Sequence, residues 1–134
     1  MATLKTNTLT GTSTAGSIAV TGEGGSATTN LQQGLCKAWF QVETDFSAFS
    51  DSFNMSGLTD AGTGALNYAY TSSFGNISYS VTASANEGGR NTTVIIVEPT
   101  GLATGSGELS SCQSSGTNAL SDNSIGLQAI GDLA

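Results

Sequence analysis

Two stretches of this chain, ALNYAYT at 65–71 and GNISYSVTASA at 75–85, alternate between apolar and polar residues with a period of two. Successive side chains of a β-strand point to opposite faces, so the alternation predicts two strands that each bury one face. The predicted buried rows are Leu66, Tyr68 and Tyr70 in the first stretch, and Ile77, Tyr79, Val81 and Ala83 in the second. Between them, SSFGN places Gly75 and Asn76 where a tight turn needs positive φ, which predicts a β-hairpin.

Other segments carry the same period. KAWFQVE at 37–43 places Ala38, Phe40 and Val42 on one face and Trp39 with Gln41 on the other. Further strands are predicted at NTTVIIVEP (91–99), GELSSCQ (107–113) and NSIGLQAIGDLA (123–134). The last of these places Ile125, Leu127 and Ala129 in one row. Helical periodicity is not sustained in any window. The sequence therefore predicts an all-β fold, an antiparallel β-sandwich of jelly-roll or immunoglobulin-like type with about seven short strands.

The segment before these strands has a different composition. Residues 1–34 are rich in Gly, Ser, Thr and Asn, and their apolar positions are scattered: Leu4, Leu9, Ile18, Val20 and Leu31. So few apolar side chains cannot offset the entropy of ordering a segment of this length. We expect an extended N-terminal arm at 1–34 and a β-sandwich domain at 35–134. The arm is either a flexible leader or a segment ordered by pairing with the body or with a neighbouring subunit.

Charge excludes one class of partner. The formal net charge is -7, and the basic residues are Lys5, Lys37 and Arg90. Phosphate binding needs clustered Lys and Arg, so we expect no nucleic acid partner. We also expect no membrane partner, because the sequence has no apolar run long enough to span a bilayer. The N-terminus MATLKTNTLT lacks the apolar core of a signal peptide, so we expect a soluble chain that is made in a cytoplasm.

The sequence offers little for catalysis. It contains no histidine, so general acid–base chemistry would fall to carboxylates or a thiol. Asp45 and Asp51 flank the loop TDFSAFSD, where solvated carboxylates are common, and we expect no enzymatic activity. Cys36 and Cys112 lack a zinc-type spacing, and we expect two free thiols, with a disulfide as the alternative. We expect neither a metal site nor a cofactor.

Four quoted segments carry a resemblance to a known family. LCKAWFQVE, SDSFNMSGLTDAGTGALNYAYTSSF, NISYSVTASA and the C-terminal AIGDLA resemble a module of bacteriophage tail-fibre and related virion-surface proteins from marine and cyanobacterial phages. The similarity covers residues 35 to about 85 and the final strand. Its specific parts are Lys37-Ala38-Trp39 and the turn block from Ser52-Phe53-Asn54 to Gly64. The resemblance implies a homotrimeric surface module without enzymatic activity or cofactor. It implies localisation in the virion, after assembly in the host cytoplasm, beside other capsid or tail proteins.

Three related functions follow from this resemblance. The chain is expected to be a tail-fibre-like attachment module; the alternatives are a capsid decoration or cement protein and a tip that binds host surface glycans. Trp39 cannot share the core face with Phe40, so we expect Trp39 near a subunit boundary. The residues expected at the subunit interface are Lys37, Trp39, Leu4, Leu9, Ile18 and Val20. The residues expected in receptor-facing loops are Asp45, Phe46, Phe49, Asp51, Phe74 and Asn76.

Overall fold

A computed structural model of the protein describes residues 3–12, 18–22, 25, 28–85, 93–97, 101–113 and 119–134. The chain divides into two units, Met1–Leu35 and Cys36–Ala134. In the first unit, β1 (Ala19–Thr21) and β2 (Thr28–Asn30) form a two-stranded antiparallel sheet, followed by one helical turn, α1 (Leu31–Gly34). The Leu31 amide donates to the Ile18 carbonyl at 2.8 Å, which joins the start of α1 to the residue before β1.

The second unit contains two four-stranded sheets. Its strands are β3 (Cys36–Val42), β4 (Phe49–Phe53), β5 (Met55–Gly62), β6 (Ala65–Tyr70), β7 (Ser80–Ala85), β8 (Thr93–Val97), β9 (Ser106–Gln113) and β10 (Ile125–Ile130). Strands in the order β4-β3-β10-β7 form one sheet, here called the front sheet. Strands in the order β5-β6-β9-β8 form the other, the back sheet. Every neighbouring pair is antiparallel.

The two sheets pack face to face around one apolar core. Phe40 of the front sheet contacts Tyr68 of the back sheet, with ring centroids 5.4 Å apart. Alternation along each strand supplies the remaining core residues. These buried side chains include Ala38, Val42, Ile125, Leu127 and Ala129 from the front sheet, and Leu66, Tyr70 and Leu109 from the back sheet. The predicted all-β antiparallel sandwich is confirmed, and the faces predicted for β3, β6 and β10 are the ones observed.

The predicted hairpin at SSFGN is wrong. β6 pairs with β5 and β9 in the back sheet, whereas β7 pairs with β10 in the front sheet. The chain crosses between the sheets here because the Phe74 ring enters the core and stacks on Tyr79 with centroids 4.1 Å apart. Backbone bonds from Gly75 to Asp132 and from Ala134 to Ser73 join this crossing segment to the C-terminus. Ile77 precedes β7 and is exposed rather than buried in the predicted row.

A second crossing between the sheets lies at Asn54. β4 belongs to the front sheet and β5 to the back sheet, and Asn54 between them has a positive φ of 59°. Asparagine tolerates this left-handed conformation better than most residues. Its amide group donates to the Lys37 carbonyl at 3.0 Å, and its side-chain oxygen accepts from the Ser72 amide at 2.7 Å. Asn54 therefore fixes the corner where the chain leaves β4, next to Phe53.

Candidate functional site

Two aromatic side chains lie side by side on the outward face of the front sheet. Trp39 on β3 and Phe53 on β4 are direct cross-strand partners. Ala38 and Phe40 point into the core, so alternation along β3 turns Trp39 outward. The side chains of Trp39 and Phe53 are 36% and 54% exposed. The core is filled by other residues, which leaves this aromatic pair available to a partner.

Polar side chains continue the same row across the sheet. Gln128 on β10 is the cross-strand partner of Trp39, and Thr82 on β7 is the partner of Gln128. Both side chains are exposed. The outward face of the front sheet therefore changes from aromatic at β4 and β3 to neutral and polar at β10 and β7.

A groove runs along this face beside Trp39. Gly126 on β10 lies between Gln41 on β3 and Ser84 on β7, and it places no side chain on the surface. The resulting groove has a volume of about 340 Å³ and is lined by Trp39, Gly126, Gln128, Thr82 and Ser84 together with neighbouring strand residues. An exposed aromatic ring and several polar groups meet at this concave surface.

The Gln41 side chain lies beside Gly126, its cross-strand partner. Its nitrogen donates to the Ser124 hydroxyl at 2.9 Å, and that hydroxyl donates to the Val42 carbonyl at 2.9 Å. A β-carbon added at Gly126 would lie 2.9 Å from the Gln41 side-chain oxygen, so the amide extends over Gly126. These bonds hold the Gln41 side chain next to Gly126.

Lys37, expected at a subunit interface, is buried. Its side chain is 6% exposed. Burial lowers the pKa of the Lys37 ammonium group, while the nearby Asp132 carboxylate favours the charged form and opposes the shift. Its place at a subunit contact stays a prediction, as does that of Trp39.

Two of the expected receptor-facing aromatics belong to the core instead. Phe46 and Phe74 are 2% and 1% exposed, so their rings cannot contact a receptor. Phe46 adopts a φ of 48° in a turn, and its amide donates to the Glu43 carbonyl. In this turn the Phe46 ring points into the core. Phe49 is half-buried and packs against Phe40 with centroids 5.4 Å apart. Loop position alone did not indicate which of these rings were needed for packing.

The three polar residues expected in the same loops are exposed and form local bonds. The Asp45 carboxylate accepts from the Ser47 amide at 3.2 Å and from the Ser47 hydroxyl at 2.9 Å. These bonds lower the pKa of Asp45, so this carboxylate is ionised at neutral pH and unsuited to act as a general acid. Asp51 accepts from the Ser52 amide and Asn76 from the Ser78 amide. Such bonds are typical of turns.

The apolar residues expected at the interface in the N-terminal unit are largely exposed. Leu4, Leu9 and Val20 are 77%, 56% and 50% exposed. Ile18 is half-buried. The unit therefore presents several large apolar side chains that its own described residues leave uncovered.

Three tyrosines form a polar cluster inside the sandwich. Among the described residues, no hydrogen-bond partner is found for the buried hydroxyls of Tyr68 and Tyr70, whereas the Tyr79 hydroxyl donates to the Ala103 carbonyl at 2.8 Å. Tyr68 lies against Gly107 of β9, where an added β-carbon would be 2.3 Å from its hydroxyl oxygen. Burial raises the pKa of Tyr68 to about 12 and also raises that of Tyr70 and Tyr79. All three phenols are neutral at neutral pH.

We expect the tyrosines of the folded protein to ionise well above pH 10. Below pH 10 both the folded and unfolded states keep the phenolic protons, so the free energy of unfolding is unaffected. Between pH 10 and about 12, the unfolded state loses protons that Tyr68 retains when folded, so stability falls as pH rises. Phenolate absorbance against pH measures this directly, with the chain unfolded in guanidinium as control. A folded-state midpoint near pH 10 would contradict the burial of these hydroxyls.

Other kinds of site have little support in the described ranges. No three His, Cys, Asp or Glu side chains in the described part of the chain form a group that could hold a metal ion. Cys36 and Cys112 are both half-buried and form no disulfide, and the Cys36 thiol donates to the Ala38 carbonyl at 3.2 Å. Among the residues that the structure describes, no helix is long and apolar enough to cross a membrane.

Comparisons of the chain with protein-family models, with curated proteins and with solved structures find no match.

Sequence reasoning singled out Trp39 but missed its neighbours. Phe53, Gln128, Thr82, Ser84 and Gly126 were not among the expected site residues, although they surround Trp39 or line its groove. Alternation gave no clear signal for Phe53, because it places Phe53 on the same face as both the exposed Asp51 and the half-buried Phe49, which packs against Phe40. The adjacency of these residues depends on which strands pair and in which register.

Proposed function

We propose that this chain is a structural module of a bacteriophage particle, a tail-fibre-like surface-attachment protein that acts as a homotrimer and not as an enzyme. The observation that carries the proposal is the exposure of Leu4, Leu9 and Val20 in the N-terminal unit. The resemblance of residues 35 to about 85 to virion-surface modules supports the same class. A structural module of this kind requires its subunits to associate, and exposed apolar side chains provide a surface for that association.

The argument for association is energetic. Ordering the backbone costs roughly 1–2 kcal/mol per residue, whereas burial of apolar surface returns about 25 cal/mol per Å². In the N-terminal unit, Leu4, Leu9 and Val20 are exposed and supply little of this burial, and β1 and β2 form a two-stranded sheet. Such sheets are marginally stable alone. Neighbouring subunits would cover the apolar side chains and supply strand partners.

The number of subunits rests on the resemblance, which points to three-fold symmetry. Cyclic symmetry repeats one contact around an axis and closes the assembly, so each exposed apolar side chain can be covered by the next subunit. Other capsid or tail proteins of the particle would bind surfaces outside this contact.

Two measurements test the proposal. Light scattering on the whole chain should give the mass of three chains. In an electron-microscopy map of the particle, density for the trimer should lie only at fibre or tail ends. A regular array of this density over the whole capsid would instead indicate a capsid decoration protein. Absence of the chain from purified particles, measured by mass spectrometry, would contradict a virion function altogether.

A further inference from the structure

We propose that the groove beside Trp39 binds a neutral carbohydrate, with one pyranose ring stacked on the indole. The inference goes beyond the structural role proposed above. It does not depend on trimerisation, because the residues that line the groove come from three neighbouring strands of one sheet in a single chain.

The aromatic wall of the groove fits one face of a sugar. A pyranose ring exposes C–H groups on its faces and hydroxyl groups around its edge. The Trp39 indole offers a large apolar face with a polar N–H at its edge, and it is 36% exposed. Stacking of C–H groups on such a ring adds weak attraction to the removal of apolar surface from water. Phe53, beside Trp39 on β4, extends the apolar surface beyond the groove.

The opposite wall fits the hydroxyl groups at the edge of a sugar. Thr82 and Ser84 lie two positions apart on β7, so both side chains point to the outward face. Their hydroxyls can each donate and accept a hydrogen bond, and the Gln128 amide can do both as well. A small number of polar groups set into an apolar surface is the usual composition of a small-molecule site.

The lack of charged residues in the groove favours neutral ligands over ionic ones. None of the eight residues that line the groove is charged. A phosphate, sulfate or carboxylate would find no cation there, and the net charge of -7 repels anions from the protein as a whole. A cation would find no carboxylate among the lining residues. The lining therefore favours a neutral ligand rich in hydroxyl groups.

The groove is small and formed before binding. Its volume of about 340 Å³ lies at the lower end of the range for small-molecule sites, about 300–1,000 Å³. Gly126 places no side chain in the groove, and the lining residues all belong to paired strands of one sheet, which holds their backbones in place. Preformed sites lose less conformational entropy on binding. Because the groove is open, we expect weak binding by a single ring, with a dissociation constant on the order of 1–10 mM.

Intrinsic fluorescence gives a direct assay, because Trp39 is the single tryptophan of the chain. The probes are methyl β-D-glucopyranoside, methyl β-D-galactopyranoside and methyl α-D-mannopyranoside, with sorbitol as an acyclic polyol control and sialyllactose as an anionic one. We expect a saturable change in Trp39 emission with at least one neutral pyranoside and none with sorbitol. The full-length protein is used throughout, and a printed array of neutral glycans extends the same test to larger ligands.

Matched variants assign the signal to the groove. Gly126→Val fills the floor from the outward face and should weaken binding at least tenfold, while Trp39 stays in place as the reporter. Ser84→Ala removes one hydroxyl and should weaken binding about fivefold, the usual effect of one lost hydrogen bond. Ser80→Ala is the control, because Ser80 is exposed on the same strand but does not line the groove. Circular dichroism and thermal melts check that each variant is folded.

Three results would overturn the proposal. The first is the absence of binding to every neutral pyranoside and every neutral glycan on the array. The second is binding that is unchanged in both the Gly126→Val and Ser84→Ala variants, or binding confined to sialyllactose. The third is a loss of oligomeric mass on light scattering in Gly126→Val, which would assign this face to a second copy of the chain instead of a sugar.

Discussion

Gly64→Ala is expected to destabilise the sandwich by about 3–5 kcal/mol, which places it among the most damaging single substitutions. Gly64 lies in the turn between β5 and β6 with a φ of 69°, where any β-carbon is strained. An added β-carbon would lie 2.5 Å from the Ser111 carbonyl oxygen and 2.7 Å from the Ser121 amide nitrogen. Both are backbone atoms and cannot rotate away. The melting temperature should fall by more than about 10 °C.

The hydrogen bonds of the same turn explain why relaxation is costly. The Gly64 amide donates to the Asp122 carboxylate, and its carbonyl accepts from the Ser111 amide at 2.7 Å. The Ser121 amide in turn donates to the Ser111 carbonyl at 3.1 Å, and the buried Asn123 amide donates to the Ser121 carbonyl at 2.9 Å. Moving Gly64 away from β9 would break hydrogen bonds of this network. Each buried donor or acceptor left without a partner would lower the free energy of unfolding.

Two other glycines provide matched controls. Gly62→Ala carries only backbone strain, because Gly62 has a φ of 119° but nothing lies within 4 Å of an added β-carbon. Gly57→Ala should be nearly neutral, since its β-carbon would make an ordinary 3.5 Å contact with Ala69. Chemical denaturation of the three variants gives the comparison. Equal losses in Gly62→Ala and Gly64→Ala would show that strain alone matters and that the close packing of Gly64 does not.

Deletion of residues 2–30 is expected to reduce the assembly from a trimer to a monomer. The exposed apolar side chains of the N-terminal unit would be removed, and with them the surface that we propose neighbouring subunits cover. The sandwich should stay folded, because every residue of its apolar core lies between Ala38 and Ala129. Light scattering measures the mass, and circular dichroism measures the β-content.

A full-length variant tests whether the deletion acts through the loss of apolar side chains or through the loss of the segment itself. Leu4→Ser, Leu9→Ser and Val20→Ser together should lower the oligomeric mass almost as much as the deletion. The control variant removes one methyl group at each of three exposed polar positions: Thr3→Ser, Thr10→Ser and Thr21→Ser. A full-length protein that is monomeric at all concentrations would contradict the trimer. A trimer that persists after the deletion would keep the symmetry but place the subunit contact within residues 31–134.

Local pattern was enough to determine the fold class and several buried faces. The inward rows of β3, β6 and β10 were predicted from alternation, because a strand turns successive side chains to opposite faces whatever its neighbours are. For the same reason Trp39 was expected to lie opposite Phe40 and outside the core. These are properties of consecutive residues, which the sequence contains directly.

Strand partners and the surface they build were decided only by the tertiary structure. β7 follows β6 in the chain but pairs with β10, and Trp39 meets Phe53 and Gln128 through pairings with two different strands. The burial of Phe74 and the close packing of Gly64 likewise depend on distant segments. Such contacts are chosen by the total packing of both sheets, because a strand has the same local pattern with any partner that covers its apolar face.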